Sequence, residues 1–342
     1  MDPATIMPDV CHDMTTKTTS ERLERIGMGF CGSVWADMDS SNADTASCMK
    51  REDGGPGRSL TNEYRIHKLV NQAVSLYPQH ATSFSIPVCH GFLNKSDKTP
   101  WSEILPRLPP GSLACNALLS QKVQPVSETA RRLLASIYAQ GHDTETIVGD
   151  KKNEHCLIRP YFGRRRHRTR RAGKPTFFSL RNFPLHVDQM EELGISTDSY
   201  VKAMAEGLAF LLWVARVDAN DVEFVLGRPP STMNSESGRF DPGILGPHAM
   251  WIIDFDCCNQ LPMDGEGVEI AARCFWRNDP FYPRPGSSNT RDEQLWNIFR
   301  DHFIQVSEAI LQDELPSARQ LPRLLTERII ETRGMYDKGV IT

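Results

Sequence analysis

The sequence predicts an α+β fold in two lobes, a β-rich N-lobe over residues 21–108 and a mainly helical C-lobe over 109–342. Three observations carry this reading. Up to residue 108, short apolar runs alternate with glycine- and proline-rich turns around one helical pattern, as strands about a helix do. Pro106, Pro109, Pro110 and Gly111 then fall together, which is the chemistry of a joint. Beyond the joint, the apolar residues recur on one face of a helix in two long stretches.

The elements follow in order. Residues 1–20 are polar and predict a flexible tail. The stretch RIGMGFCGSVWA holds Gly27, Gly29, Gly32 and Val34 in a G-x-G-x-x-G-x-V spacing, and its Ser33, Val34 and Trp35 favour a returning strand over a helix. A strand ending at Lys50, the loop REDGGPGRS, and a helix through NEYRIHKLVNQAV come next, then two strands, FSIPVCHGFL and WSEILPRL. In the C-lobe the basic stretch 163–175 reads as an insertion. A helix runs over 198–215, with Val201, Met204, Ala205, Leu208, Leu211, Leu212 and Ala215 on one face. Strands at 222–226 and 250–255 flank a polar, Gly- and Pro-rich stretch, 227–249, that predicts a mobile loop. A last helix covers 293–312.

Composition narrows the classes. With 39% hydrophobic and 24% charged residues, this is ordinary globular usage. The net charge of −4 gives no sign of nucleic acid, a membrane or an acidic substrate as partner. Nine scattered cysteines without a C-x-x-C argue for reduced thiols, hence a cytoplasmic or nuclear protein. Cys11-His12, Cys89-His90 and His155-Cys156 do not fit the spacing of a zinc finger, so no zinc is expected. The most apolar run, AMAEGLAFLLWVA, is short and contains Glu206, and the N-terminus lacks an apolar core, so neither a membrane span nor a signal peptide is expected.

Glycines at this spacing let a backbone approach phosphate oxygens, and two arrangements use them. In a dinucleotide fold they follow a buried strand and open a helix; in a kinase they sit in a hairpin over ATP. The polar SERLERIG before them and the strand-forming residues after them favour the hairpin. Phosphoryl transfer further needs a lysine on the phosphates, a carboxylate to hold it, metal-binding groups and a carboxylate at the acceptor hydroxyl. Lys50 and Glu63 supply the first pair. Asp218 and Glu223, five apart in VDANDVEFVL, and Asp254 in WIIDFD supply the rest. Each has a plainer alternative: a solvated lysine, a helix surface charge, or carboxylates that cap a turn.

On GMGFCGSVWA, NEYRIH, LIRPYFGRRR, FFSLRNFPL, DANDVEFVLG, WIIDFD and NDPFYPRP, the chain resembles the protein-kinase-like superfamily. It resembles more closely a fungal family of kinase-like proteins of uncharacterised activity, often called zinc finger proteins because some members carry a separate finger. The resemblance implies a two-lobed kinase-like fold binding ATP with Mg²⁺ or Mn²⁺. Gly27, Gly29, Gly32, Val34 and Lys50 would hold the nucleotide, Asp254 and Glu223 the metal, and Asp218 the acceptor hydroxyl. The acceptor would be a small molecule or a protein. Arg216-Val217-Asp218 in place of His-Arg-Asp, Glu223 in place of Asn, and Asp256 in place of the glycine of D-F-G lean towards a pseudokinase. The alternative is a non-catalytic scaffold accessory to transcription or to a fungal secondary metabolic pathway. Six arginines between Arg164 and Arg171 read as a solvated loop, a nuclear import signal or a dock for an acidic partner.

Overall fold

A computed structural model describes residues 22–37, 46–166, 178–231, 240 and 243–336. The protein is α+β, rich in β-sheet towards the N-terminus and helical towards the C-terminus, and it divides into two compact units. The first comprises the chain to Lys68 together with Pro87–Lys122; the second comprises Leu69–Ile86 and the chain from Val123. The tail 1–20, most of the basic stretch 163–175 and much of 227–249 lie outside the described residues.

The first unit is built on an antiparallel sheet of five strands, β1 (Glu24–Met28), β2 (Ser33–Ala36), β3 (Ser47–Arg51), β4 (Cys89–Leu93) and β5 (Ala117–Gln121), in the order β1-β2-β3-β5-β4. Strand alternation sends Trp35 and Met49, partners across β2 and β3, to one face. There they join Leu93, Trp101, Ile104, Leu108 and Leu119 in a core. The other face carries Val34 opposite Lys50, and Lys50 opposite Leu118. Helix α1 (Leu60–Leu76) belongs to this unit as far as Lys68; its Leu60 packs on Cys31 and Leu118, and Tyr64 stacks on Phe92 at 5.3 Å.

Two expectations change here. WSEILPRL is not a strand but helix α2 (Lys98–Ile104) and a tight turn, Leu105–Arg107. Trp101 and Ile104 stand at i and i+3, so the helix buries both on one face, whereas a strand would divide them between faces; Leu108, just after the turn, joins them in the core. The sheet also continues past 108, because ALLSQ forms β5, the strand paired with both β3 and β4. Three apolar residues, Ala117, Leu118 and Leu119, beyond a proline-rich joint carry little local sign of being an interior strand.

The second unit holds a four-stranded sheet, β7-β6-β8-β9, from β6 (Ile158–Tyr161), β7 (Phe183–His186), β8 (Glu223–Gly227) and β9 (Ala249–Ile253). Ser85 exchanges backbone hydrogen bonds with Met250 and Ile252, which fixes 69–86 in this unit. Its main helices are α3 (Glu128–Tyr138), α4 (Thr144–Gly149), α5 (Val187–Glu192), α6 (Thr197–Ala209), α7 (Gly265–Arg277), α8 (Thr290–Ile310) and α9 (Leu321–Glu331). Helix α6 crosses the β8–β9 hairpin at Gly207, where a Cβ would come within 2.8 Å of Ile252 Cδ1. Its continuation, Phe210–Val214, widens into a π-helical turn. Among the described residues no helix is long and apolar enough to cross a membrane.

Candidate functional site

The first unit presents the glycine hairpin and the Lys50–Glu63 pair. Lys50 Nζ lies 2.8 Å from Glu63 Oε2, with side chains 15% and 5% exposed. The register places Lys50 directly opposite Val34. In the hairpin turn the Gly29 N–H donates to Gly32 O at 2.9 Å. The three predicted glycines have unlike surroundings. Gly27 pairs with Val34 beside an irregularity in the β1–β2 register. A Cβ on Gly29 would meet nothing within 4 Å. A Cβ on Gly32, whose φ is +153°, would fall 2.0 Å from Arg51 O.

The hairpin tip is also pinned from behind by the loop after β3. Gly55 N–H and Gly54 N–H donate to Phe30 O and Cys31 O at 2.9 and 3.0 Å. The Ser33 N–H and hydroxyl both donate to the Asp53 carboxylate, at 2.7 and 2.9 Å to Oδ1. Gly32 therefore already answers to a packing requirement.

The carboxylates of the second unit gather where two loops meet, one following the π-helical turn and one following β9. Four of the non-glycine residues with positive φ lie here: Arg216 (53°), Ala219 (53°), Asp221 (62°) and Asp254 (67°). Left-handed backbone on β-carbon-bearing residues is strained, and such strain concentrates at functional sites. Asp218 is 4% exposed. Its Oδ1 accepts from the backbone N–H groups of Asn220 at 3.1 Å and Asn259 at 3.0 Å. Burial pushes its carboxyl above the ordinary carboxylate range, against the pull of those hydrogen bonds. Beside it, burial pushes the Cys258 thiol well up, and that sulfur donates to Asn220 O.

Glu223, expected to bind metal, is held instead by Arg159 on β6, whose Nη2 lies 2.5 Å from each carboxylate oxygen. A different trio comes together: the ligand atoms of Asp221, Asp256 and Cys257 all lie within 4.8 Å of one another. Asp256 is buried, Asp221 exposed and Cys257 intermediate. Two carboxylates and a thiol suit zinc, which accepts oxygen and sulfur and tolerates an open fourth position; magnesium prefers oxygen alone. Sequence reasoning missed this set because no finger spacing links 221 to 256 and 257; only the adjacency of Asp256 to Cys257 was visible.

The first arginines of the basic run meet acids of their own chain. Arg165 pairs with Glu191 and Asp292, and Arg166 with Asp188 and Glu192. Arg164 lies over the Tyr161 ring. Residues 167–171 lie outside the described residues.

Compared with known families, residues 250–315 match a family described as "Zinc finger protein". The chain is similar to that family over this stretch. No curated protein matches the chain. Two expectations are corrected. The resemblance to the protein-kinase-like superfamily is not upheld, since the family that matches is described by a zinc finger and nothing ties the chain to kinases. Short motifs carried that resemblance, and Gly32 shows how a packing requirement alone can supply part of one. The expected absence of zinc also falls, on that family description and on the Asp221, Asp256 and Cys257 cluster.

Proposed function

We propose that the first unit of the protein binds a nucleotide, and that the protein is a weak phosphotransferase or a pseudokinase. The observation that carries this is the 2.8 Å pair of Lys50 and Glu63 on the face that also bears Val34. Withdrawing two charges from water costs several kcal/mol per ion, so a largely buried pair adds little stability and suits a device that aims an ammonium at an anion. Lys50 would hold phosphate and Glu63 would aim it. Asp221, Asp256 and Cys257 would hold a divalent cation. The engagement of Asp218 by Asn220 and Asn259, and of Glu223 by Arg159, supports the pseudokinase side.

The second reading, a non-catalytic scaffold in the nucleus or cytoplasm, is favoured by the pinning of the hairpin tip through Asp53, Gly54 and Gly55. Thermal-shift titration with ATP, alone and with Mg²⁺, Mn²⁺ or Zn²⁺, separates the two. Ligand at a hundred times its Kd stabilises by about 2.7 kcal/mol, and Lys50→Ala should remove that gain. No shift with any metal would leave the scaffold. Metal analysis of the purified protein, with Cys257→Ser as control, reports the cation independently.

A further inference from the structure

Lys122, the residue after β5, carries a charge into the first unit without a partner for it. It is 8% exposed. Among the described residues no hydrogen bond or ion pair reaches its Nζ. The carboxylates that act on it, Glu24 and Asp37, make no ion pair with it, and Asp37 pairs with Arg107 instead. Burial pulls the ammonium below the ordinary lysine range, against the Cys48 thiol and those two carboxylates. Unlike Arg51 Nε and Arg159 Nε, however, Lys122 Nζ is not sealed from solvent. An ammonium largely stripped of water, with three N–H donors and no acceptor, is completed by a ligand that brings acceptors to it.

Its place on the sheet says which acceptors. Register and strand alternation put Val34 and Lys50 in one row, and Ala36, Cys48 and Ser120 in the next, all on the Lys50 face. Cys48 Sγ lies 3.4 Å from Ser120 Oγ across that face. Lys122, whose N–H donates to Ala46 O at 2.8 Å, continues it one step further. From Leu118, the partner of Lys50, to Lys122 the chain advances about 13 Å along the strand. The glycine hairpin turn lies at the other end, before Ser33, so a nucleotide with its phosphates at Lys50 and the hairpin lays its base towards Lys122. Val34 and Cys48, both half-buried, give the ring a narrow apolar strip. We propose that Lys122 reads this base and selects guanine. Its ammonium donates to O6 and N7, two neighbouring acceptors, whereas adenine presents N7 beside an amino group that can only donate. Glu24 and Asp37 oppose an anion at this end and leave a neutral acceptor unopposed. The inference rests on the nucleotide reading of Lys50 and Glu63.

The test is isothermal titration calorimetry of the full-length protein with GTP, ITP, 7-deaza-GTP and ATP, in Mg²⁺ and again in Zn²⁺. GTP and ITP, which share O6 and N7, should bind alike and about tenfold or more tightly than ATP. 7-deaza-GTP, which lacks the N7 acceptor, should bind more weakly than GTP. Lys122→Met, which keeps the length of the stem and drops the charge, should lower GTP and ITP to the level of ATP and leave ATP unchanged. The four wild-type affinities decide the matter even where that variant does not fold. No nucleotide bound with either metal would overturn the reading of Lys50, and this inference with it. ATP bound as tightly as GTP or more so, ITP as weak as ATP, 7-deaza-GTP as tight as GTP, or an unchanged GTP preference in folded Lys122→Met would overturn the role of Lys122 alone.

Discussion

Gly32 and Gly29 separate a glycine kept for the fold from one open to a ligand. In Gly32→Ala the new Cβ would stand 2.0 Å from Arg51 O, 2.6 Å from Asp53 Oδ1 and 2.8 Å from Asp53 N. Two of these are main-chain atoms at the end of β3, so no side-chain rotation relieves the clash. Overpacking of this kind costs roughly 1–3 kcal/mol, and the φ of +153° adds roughly 1–3 more for a residue with a Cβ. A destabilisation of about 2–6 kcal/mol follows. Gly29→Ala meets nothing within 4 Å. It should lie between neutral and stabilising by about 1 kcal/mol, through the stiffer unfolded chain. Native-state hydrogen exchange at the Trp35 and Met49 amides, partners across β2 and β3, reads the loss in this sheet directly. Gly32→Ala within 1 kcal/mol of wild type, on the same scale of about 1–3, would refute the reasoning, as would a Gly29→Ala variant equally damaged. With the fold intact, loss of nucleotide response in Gly29→Ala would assign the open side of the hairpin to phosphate.

Further expectations follow from other groups. Burial holds His67 at a pKa of about 4 against an ordinary 6.5, its ring bonded to Pro87 O. The unfolded chain therefore takes up the proton first, so stability is full above pH 6.5 and falls towards pH 4, by about 3 kcal/mol in all; His67→Gln should remove that slope from pH-dependent urea unfolding. Glu63→Gln removes the carboxylate 2.8 Å from Lys50 and should cost about 3 kcal/mol, with Lys50→Met/Glu63→Leu costing less. A double-mutant cycle without measurable coupling would contradict this. Arg166→Ala loses Asp188 and Glu192 and should cost about 1 kcal/mol at low ionic strength, and clearly less in 0.5 M salt, which a urea series at both salt concentrations checks.

What the sequence made legible was what lies within one element or one turn. Strands β2, β3, β8 and β9, helix α8 and the Lys50–Glu63 pairing all rest on patterns within about twenty residues, and each stands where periodicity and spacing suggest. WSEILPRL failed because eight residues with mixed apolar spacing satisfy a helix or a strand, and only the core containing Trp101 and Leu108 decides. The chemistry of the second unit depends on longer range still. Asp218 is held by Asn259, forty-one positions away, and Glu223 by Arg159, sixty-four positions away. Neither partner carries a mark in the linear sequence, because an asparagine or an arginine at a loop or strand edge is ordinary. The consequence for function is specific. Sequence spacing alone would assign Glu223 and Asp254 to the cation, while the folded chain gathers Asp221, Asp256 and Cys257. A thiol among the donors favours zinc where an all-oxygen set would favour magnesium. On the proposed reading, in which this trio holds a cation, the choice of metal turns on one residue, Cys257, which no spacing rule had singled out. Replacing it with aspartate should move the preference from zinc towards magnesium, and an unchanged zinc content in Cys257→Asp would remove that thiol from the cation's ligands.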